Sequence, residues 1–121
     1  MIYTTETLLD TTSYGTPSGN YDGSSLDFLG GIVPAANYYK GNGNFQTIIV
    51  NVTDFVGIIS IQSSLNTLGE LGAWAEVLRF GDGSTVETGI FPYSVPGNFV
   101  WLRCEVLGFN MGTINSITVS Y

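Results

Sequence analysis

The side chains that usually perform acid–base, nucleophilic or metal chemistry are scarce in this chain of 121 residues. It contains no histidine, one cysteine (Cys104) and three basic residues, Lys40, Arg79 and Arg103. Catalysis near neutral pH generally needs a titratable base, a metal ligand or an activated nucleophile. A Ser-His-Asp triad is excluded, and a Ser-Lys pair would have to use Lys40 beside a Gly-Asn turn. The composition predicts a protein that is not an enzyme and has no cofactor.

The carboxylates offer two further chemistries, neither of which the spacing requires. Asp22 and Asp27 flank a Gly/Ser-rich segment and Asp82 lies in a turn, but their spacing does not match a calcium-binding loop. We expect Asp22 and Asp82 to bond to their own turn backbones and predict no metal site. Glu76 and Glu105 lie on two well-marked strands, where they could face each other like the carboxylates of a glycosidase.

The charge balance indicates which partners the chain avoids. Its formal net charge is −7, with the acidic residues spread along the chain. Binding to nucleic acid or to an anionic membrane surface needs clustered Lys and Arg, so both partners are disfavoured. No stretch approaches the ~20 apolar residues of a membrane span, and the start of the chain lacks the features of a secretory signal. Cys104 lies in an apolar run, which predicts a buried thiol.

Short alternating segments separated by Gly and Pro favour an all-β fold. We predict an antiparallel β-sandwich, jelly-roll-like, with about eight strands. The length indicates a single domain over residues 1–121, in which residues 1–25 form an N-terminal arm, a long loop or part of the sandwich.

Individual strands can be placed from the same alternation. Gln46–Val52 is predicted as one strand, with Ile48, Val50 and Val52 on one face. Ile58–Leu65 is predicted as the next, half-buried strand, with Gly57 breaking the run between them. Its apolar face is Ile59, Ile61 and Leu65, and its polar face is Ser60, Gln62 and Ser64. Gly81–Ser84 resembles a hairpin turn that would pair Thr85–Gly89 back onto Trp74–Phe80. The segment Gly108–Gly112 is predicted as a turn before a last strand.

The strand Asn98–Leu107 contains the candidate interaction residues. Alternation directs Val100, Leu102, Cys104 and Val106 to the core, and it directs Phe99, Trp101, Arg103 and Glu105 to the other face. Trp, Tyr and Arg are enriched at protein interfaces, so Phe99, Trp101 and Arg103 are the first choice for a contact face, and Tyr38 and Tyr39 are the second. The same aromatics could instead stack on a sugar ring, or the strand could be buried on both faces.

Several segments together resemble a known family. They are YDGSSLDF, VPAANYYKGNGNFQTI, VTDFVG, AWAEVLRFGDGST and PGNFVWLRCEVLGFNMGTINSITVSY. From about Tyr21 onward the chain resembles the small virion structural proteins of tailed phages that infect marine cyanobacteria, with GNFVWLR and GTINSITVSY as the most specific pieces. The resemblance implies a β-sandwich located in the virion, as an accessory or decoration protein of the capsid or tail. It implies no catalytic residue.

Composition and resemblance lead to the same expectation about partners. We expect a homo-oligomer, with a trimer favoured, that also contacts other virion proteins. Because the chain has few charges, its self-association should change little with salt. The alternative is a carbohydrate-binding module at a receptor-binding tip, whose partner would be a glycan.

Overall fold

The fold is all-β. A computed structural model describes residues 5–35, 45–64, 74–97 and 99–121, and no helix occurs in those ranges. One antiparallel sheet contains seven strands: β1 (Thr5–Leu9), β2 (Thr12–Ser13), β3 (Phe28–Pro34), β4 (Phe45–Ser64), β5 (Ala75–Phe80), β6 (Glu87–Pro96) and β7 (Trp101–Ser120). The predicted all-β, sandwich-like architecture is therefore confirmed, with seven strands in the described ranges where about eight were expected.

The two 20-residue strands, β4 and β7, organise the sheet. They pair along their length, from Thr47 opposite Ser120 to Ser64 opposite Trp101. In one half, β1 and β2 flank β7 while β6 flanks β4; in the other half, β3 flanks β7 while β5 flanks β4. We call these halves the first and second leaf. The long strands belong to both leaves.

The leaves are joined by bends inside β4 and β7. The predicted break at Gly57 and the predicted turn at Gly108–Gly112 are both wrong. Each segment stays within a continuous strand, and the pairing register shifts near the bends. Asp54 has a φ of 51° and Gly112 a φ of 91°. A Cβ at Gly112 would overlap the carbonyl oxygen of Asp54. Glycine here is therefore needed to let the two bends nest, rather than to end a strand.

The inner faces of the two leaves share one hydrophobic core. As the alternation predicts, Ile48, Val50 and Val52 of the first leaf are buried, as are Ile59 and Ile61 of the second. Contacts at both sides hold the leaves together: the rings of Phe80 and Phe91 lie 4.9 Å apart, and the Cys104 thiol donates to the Leu8 carbonyl oxygen at 3.7 Å. At a third point the Tyr121 hydroxyl donates to the Pro34 carbonyl oxygen at 2.9 Å. The continuous sheet thus packs as a sandwich.

Aromatic rings fill the core near the bends. Phe109, fully buried inside the bend of β7, packs at centroid distances of 5.2–6.0 Å against four other rings: Tyr14, Tyr21, Phe28 and Phe55. The Tyr21 hydroxyl also accepts a hydrogen bond from Gly15 N at 3.0 Å. The N-terminal region therefore contributes β1, β2 and Tyr21 to the sheet and the core.

The segment after β5 does not form the predicted hairpin. Thr85–Gly89 does not return along β5; instead β6 crosses to the first leaf and pairs with β4, placing Ile49 opposite Pro92. Gly83 N donates to Gly57 O at 3.2 Å, so the Asp82 turn closes against the bend of β4. The Asp-Gly pair correctly predicted a tight turn, but it did not predict that the strand after the turn would pair with β4 and not with β5.

Candidate functional site

The outer face of the second leaf combines aromatic, basic and acidic side chains. We name it the Trp–Arg face and define it by Leu29, Ile32, Ser60, Gln62, Ser64, Trp74, Glu76, Arg79, Trp101, Arg103 and Glu105. Strand register places the members side by side, with Gln62 between Glu76 and Arg103, and Ser60 between Arg79 and Glu105. Leu29 and Ile32 of β3 extend the face at its edge and are partly exposed.

Arg103 is held in one orientation on this face. Its guanidinium carbon lies 4.5 Å from the centroid of the Trp74 ring, and its Nε donates to Gln62 Oε1 at 2.6 Å. Stacking on an indole and bonding to a neutral amide both leave the positive charge in place. The half-buried Arg103 is thus pre-oriented while part of it remains accessible.

Gln62 links the two charges of β7. Its Nε2 donates to Glu105 Oε1 at 3.0 Å, while its Oε1 accepts from Arg103. One amide therefore orients a carboxylate and a guanidinium that lie two residues apart on the same strand. Removing Gln62 would leave both half-buried charges with fewer partners.

Glu76 is held as a carboxylate at the other side of the face. The Ser60 hydroxyl donates to Glu76 Oε1 at 2.6 Å, and Arg79 bonds to both carboxylate oxygens at 3.0–3.2 Å. The Ser60 hydroxyl first, and then Arg79, lower the pKa of Glu76 below its ordinary value. Ser60 is only 2% exposed although it lies on an outer face, because the longer side chains around it cover it.

Glu76 and Glu105 do not face each other directly, and each is bonded to a different neighbour. They lie on β5 and β7, on either side of β4, so their backbones are two strand spacings or roughly 10 Å apart. Ser60 and Gln62 occupy the space between them. A general acid needs a raised pKa, whereas that of Glu76 is lowered.

The predicted site residues fall into three groups. Trp101 and Arg103 lie on the Trp–Arg face and are half-buried, as Glu105 is. Phe99 does not join them: it precedes β7 and packs against the core. Tyr38 and Tyr39 lie outside the described residues.

Sequence reasoning did not bring Trp74, Ser60 and Gln62 together with Arg103. Trp74 and Glu76 are two residues apart, which suggests one face, but the register shift near Val77 changes the alternation before Arg79. Ser60 and Gln62 were identified as the polar side of their strand, and only their cross-strand neighbours make them part of a network. The missing signal was the pairing of β5 with β4 and β7.

Two aspartates close turns of the same design, as predicted. Asp22 Oδ1 accepts from the backbone N–H groups of Ser24 and Ser25 at 2.9 and 2.7 Å, and Asp82 Oδ1 does the same with Ser84 and Thr85 at 2.9 and 2.7 Å. The backbone bonds lower the pKa of Asp22 to about 2. The pKa of Asp82 is lowered first by the Thr85 hydroxyl, which donates to Asp82 Oδ2 at 2.6 Å, and then by the backbone bonds. Among the described residues no three His, Cys, Asp or Glu side chains cluster as metal ligands.

Cys104 is not an available nucleophile. The thiol is buried in the core, and burial raises its pKa to about 12. A thiol that stays protonated does not attack an electrophile at neutral pH. The prediction of a buried cysteine is confirmed.

Comparison with known proteins adds no relative. Neither a protein-family model nor a curated protein matches the chain. In the part of the chain that the structure describes, no helix is long and apolar enough to cross a bilayer.

Proposed function

We propose that the chain is a non-enzymatic structural component of a phage particle, an accessory or decoration protein of the capsid or tail that docks on a larger partner through its Trp–Arg face. The observation that supports this most directly is the fixed Arg103, stacked on Trp74 and bonded to Gln62. Interfaces favour Arg and Trp that are already oriented, because little side-chain entropy is then lost on binding.

The surroundings of Arg103 also suit a protein interface. Trp101 is half-buried next to it, and the exposed Leu29 and Ile32 add apolar area at the β3 edge. The carboxylates on the face are already bonded to a hydroxyl, an amide or an arginine. A partner that covers the face therefore does not have to strip an isolated carboxylate of water. The resemblance to cyanophage virion proteins supplies the phage context.

The location is tested on intact particles. Mass spectrometry of gradient-purified particles of the phage that encodes the chain should find the protein at a fixed ratio to the major capsid or tail protein. Particles that lack it would refute the virion role. A density map of such a particle would show whether the Trp–Arg face or another surface meets the partner.

The face is tested by substitution in the same particles. Trp101→Ala and Ile32→Glu should each lower occupancy at least tenfold while leaving the protein folded, because Trp101 is half-buried and Ile32 is 40% exposed. Val86→Glu is the control: Val86 is 50% exposed before β6 and lies outside the face, so its substitution should leave occupancy unchanged. Full occupancy by a folded Ile32→Glu variant would contradict docking through this face.

Glycan binding is the second candidate. Trp101 lies opposite Ser64 and two residues before Arg103 on the same strand, and an indole next to hydrogen-bonding groups is a common platform for a sugar ring. Arg103, however, covers Trp74, which leaves one fewer ring face for stacking. Binding of the wild-type protein to a glycan array, abolished by Trp101→Ala, would favour this function over protein docking.

A further inference from the structure

At the bend, the outer face of the first leaf is bordered by the Asp54 carboxylate, which accepts from the Thr88 hydroxyl. Away from the bend, this face differs from the Trp–Arg face because none of the described side chains in its rows is charged. Its side chains alternate with the buried residues of β1, β4, β6 and β7, so they point away from the core. They form rows across the four strands. We name it the uncharged face and define it by Thr5, Thr7, Phe45, Thr47, Ile49, Asn51, Ile90, Pro92, Ser94, Pro96, Ser116, Thr118 and Ser120. None of these residues is ionisable, in a chain of which 11% is charged.

Large and small side chains lie on opposite sides of this face. Large side chains are on the β4–β6 side, where Phe45 is 63% and Ile90 66% exposed. Small hydroxyl side chains are on the β1–β7 side, where Thr5 Oγ1 and Ser120 Oγ bond to each other at 3.0 Å. One side of the face is therefore raised and the other is low.

We infer that the uncharged face pairs with the same face of a second copy of this chain, about a two-fold axis that runs parallel to the strands between β4 and β7. Such an axis lays β6 of one copy over β1 of its partner, so that the raised side of each meets the low side of the other. Ile49 then lies opposite Thr118 of the partner subunit, since the two residues occupy the same row. Face-to-face sheet packing of this kind is common in sandwiches.

Electrostatics favour a second copy over other occupants. Each chain has a net charge of −7, so two copies repel through most of their surfaces and least where no charge is present. A basic partner would be attracted to the acidic remainder of the surface and not to this face. An anionic membrane would repel the chain as a whole.

The area of the face limits the affinity of the dimer. Four strands about 4.8 Å apart and roughly six residues long give an area of roughly 400 Å². This is below the roughly 800 Å² that each partner buries in a standard interface, so we expect a dissociation constant in the micromolar range or weaker. The inference does not depend on what the Trp–Arg face binds.

Sedimentation velocity from micromolar to near-millimolar protein tests the pairing. The wild type should convert from monomer to dimer, with a dissociation constant that changes less than about twofold between low and high salt. Ile90→Glu should weaken it at least tenfold, because it places two like charges in the interface. Leu26→Glu is the matched control: Leu26 is 55% exposed in the loop before β3, and its substitution should leave the dimer unchanged.

Charge complementation tests the axis. Thr118→Lys and Ile49→Glu should each give folded monomers, and an equal mixture of the two should restore a dimer. A wild type that remains monomeric throughout, a trimer, or a dimer that tolerates Ile90→Glu would overturn the inference. Dimerisation of the wild type without rescue in the mixture would overturn the proposed axis. Particle occupancy measured with the same Ile90→Glu variant keeps this result separate from docking through the Trp–Arg face.

Discussion

Arg103 and Trp74 are stacked, with the guanidinium carbon of Arg103 4.5 Å from the centroid of the indole ring. The two residues come from β7 and from the residue before β5, which do not pair with each other; β4 lies between these strands. Their contact therefore spans the leaf above Gln62. It ties the outer surface of three strands together independently of the hydrophobic core below.

Replacing Arg103 should therefore cost more stability than replacing Arg79. Arg103→Met loses a cation–π contact and a hydrogen bond from a charged group, together about 1–3 kcal/mol. Arg79→Met loses one exposed ion pair, for which less than about 1 kcal/mol is expected. Urea unfolding of both variants measures the difference. Equal losses would mean that the Trp74 contact contributes nothing beyond a surface ion pair.

Gly112 and Gly108 provide a matched test of the nested bends. Both have positive φ values, 91° and 60°, but an added Cβ at Gly108 meets no atom within 4 Å, whereas one at Gly112 overlaps the Asp54 carbonyl. Gly108→Ala should cost about 1–2 kcal/mol, the usual penalty of the left-handed conformation. Gly112→Ala should cost at least about 3 kcal/mol, since the overlap adds to that penalty. Chemical denaturation that gives the same loss for both variants would argue against the nesting.

The aspartate turns predict how stability depends on pH. The pKa of Asp22 is about 2 in the folded chain and that of Asp82 is also lowered, so both groups stabilise the fold at pH values above their unfolded pKa of roughly 4. That contribution disappears as the pH falls from about 4 toward 2. Asp22→Asn and Asp82→Asn should each lower the melting temperature by a constant amount between pH 5 and 7, and should flatten its decline as the pH falls from about 4 toward 2. An unchanged acid slope in the double variant would show that other carboxylates dominate.

Cys104 should be unreactive in the folded protein. Its pKa of about 12 and its burial predict that a thiol reagent at pH 8 labels less than about one per cent of the chains in an hour. The same reagent should label every chain in guanidinium, which provides the control. Rapid labelling of the native protein would show that the core opens near β3 and β1, because Cys104 bonds to Leu8 O and lies against Gly30.

The local pattern of this chain is readable, and its long-range pairing is much less so. Alternation correctly predicts that Ile48, Val50, Ile59 and Ile61 face the core, because each leaf has one face buried against the other leaf. The bends were misread because a glycine that allows two strands to nest looks the same in sequence as a glycine that ends a strand. That distinction depends on the Asp54 carbonyl, 58 residues away from Gly112 in the chain.

The candidate site shows the same division. Trp101 and Arg103 could be assigned to an outer face from their own strand, but Trp74 required knowledge that β5 borders β4, and Phe99 required knowledge that β7 begins after it. The predicted hairpin failed for a related reason: β6 finds its partner in the first leaf because β4 extends beyond the end of β5. In the sequence, one long strand that runs through both leaves has the same pattern as two shorter strands joined by a turn.

The position of β7 near the end of the sequence affects how the protein folds during synthesis. In the described ranges β1, β2 and β3 pair with β7 and with no other strand, so these three strands have no sheet partner there until residues 101–120 have left the ribosome. Folding must then bring together segments from opposite ends of the chain, which is slow compared with local hairpin closure. During synthesis the apolar residues of the early strands remain uncovered. Expression at lower temperature, or with a holding chaperone, should therefore raise the soluble yield more than any change at the surface.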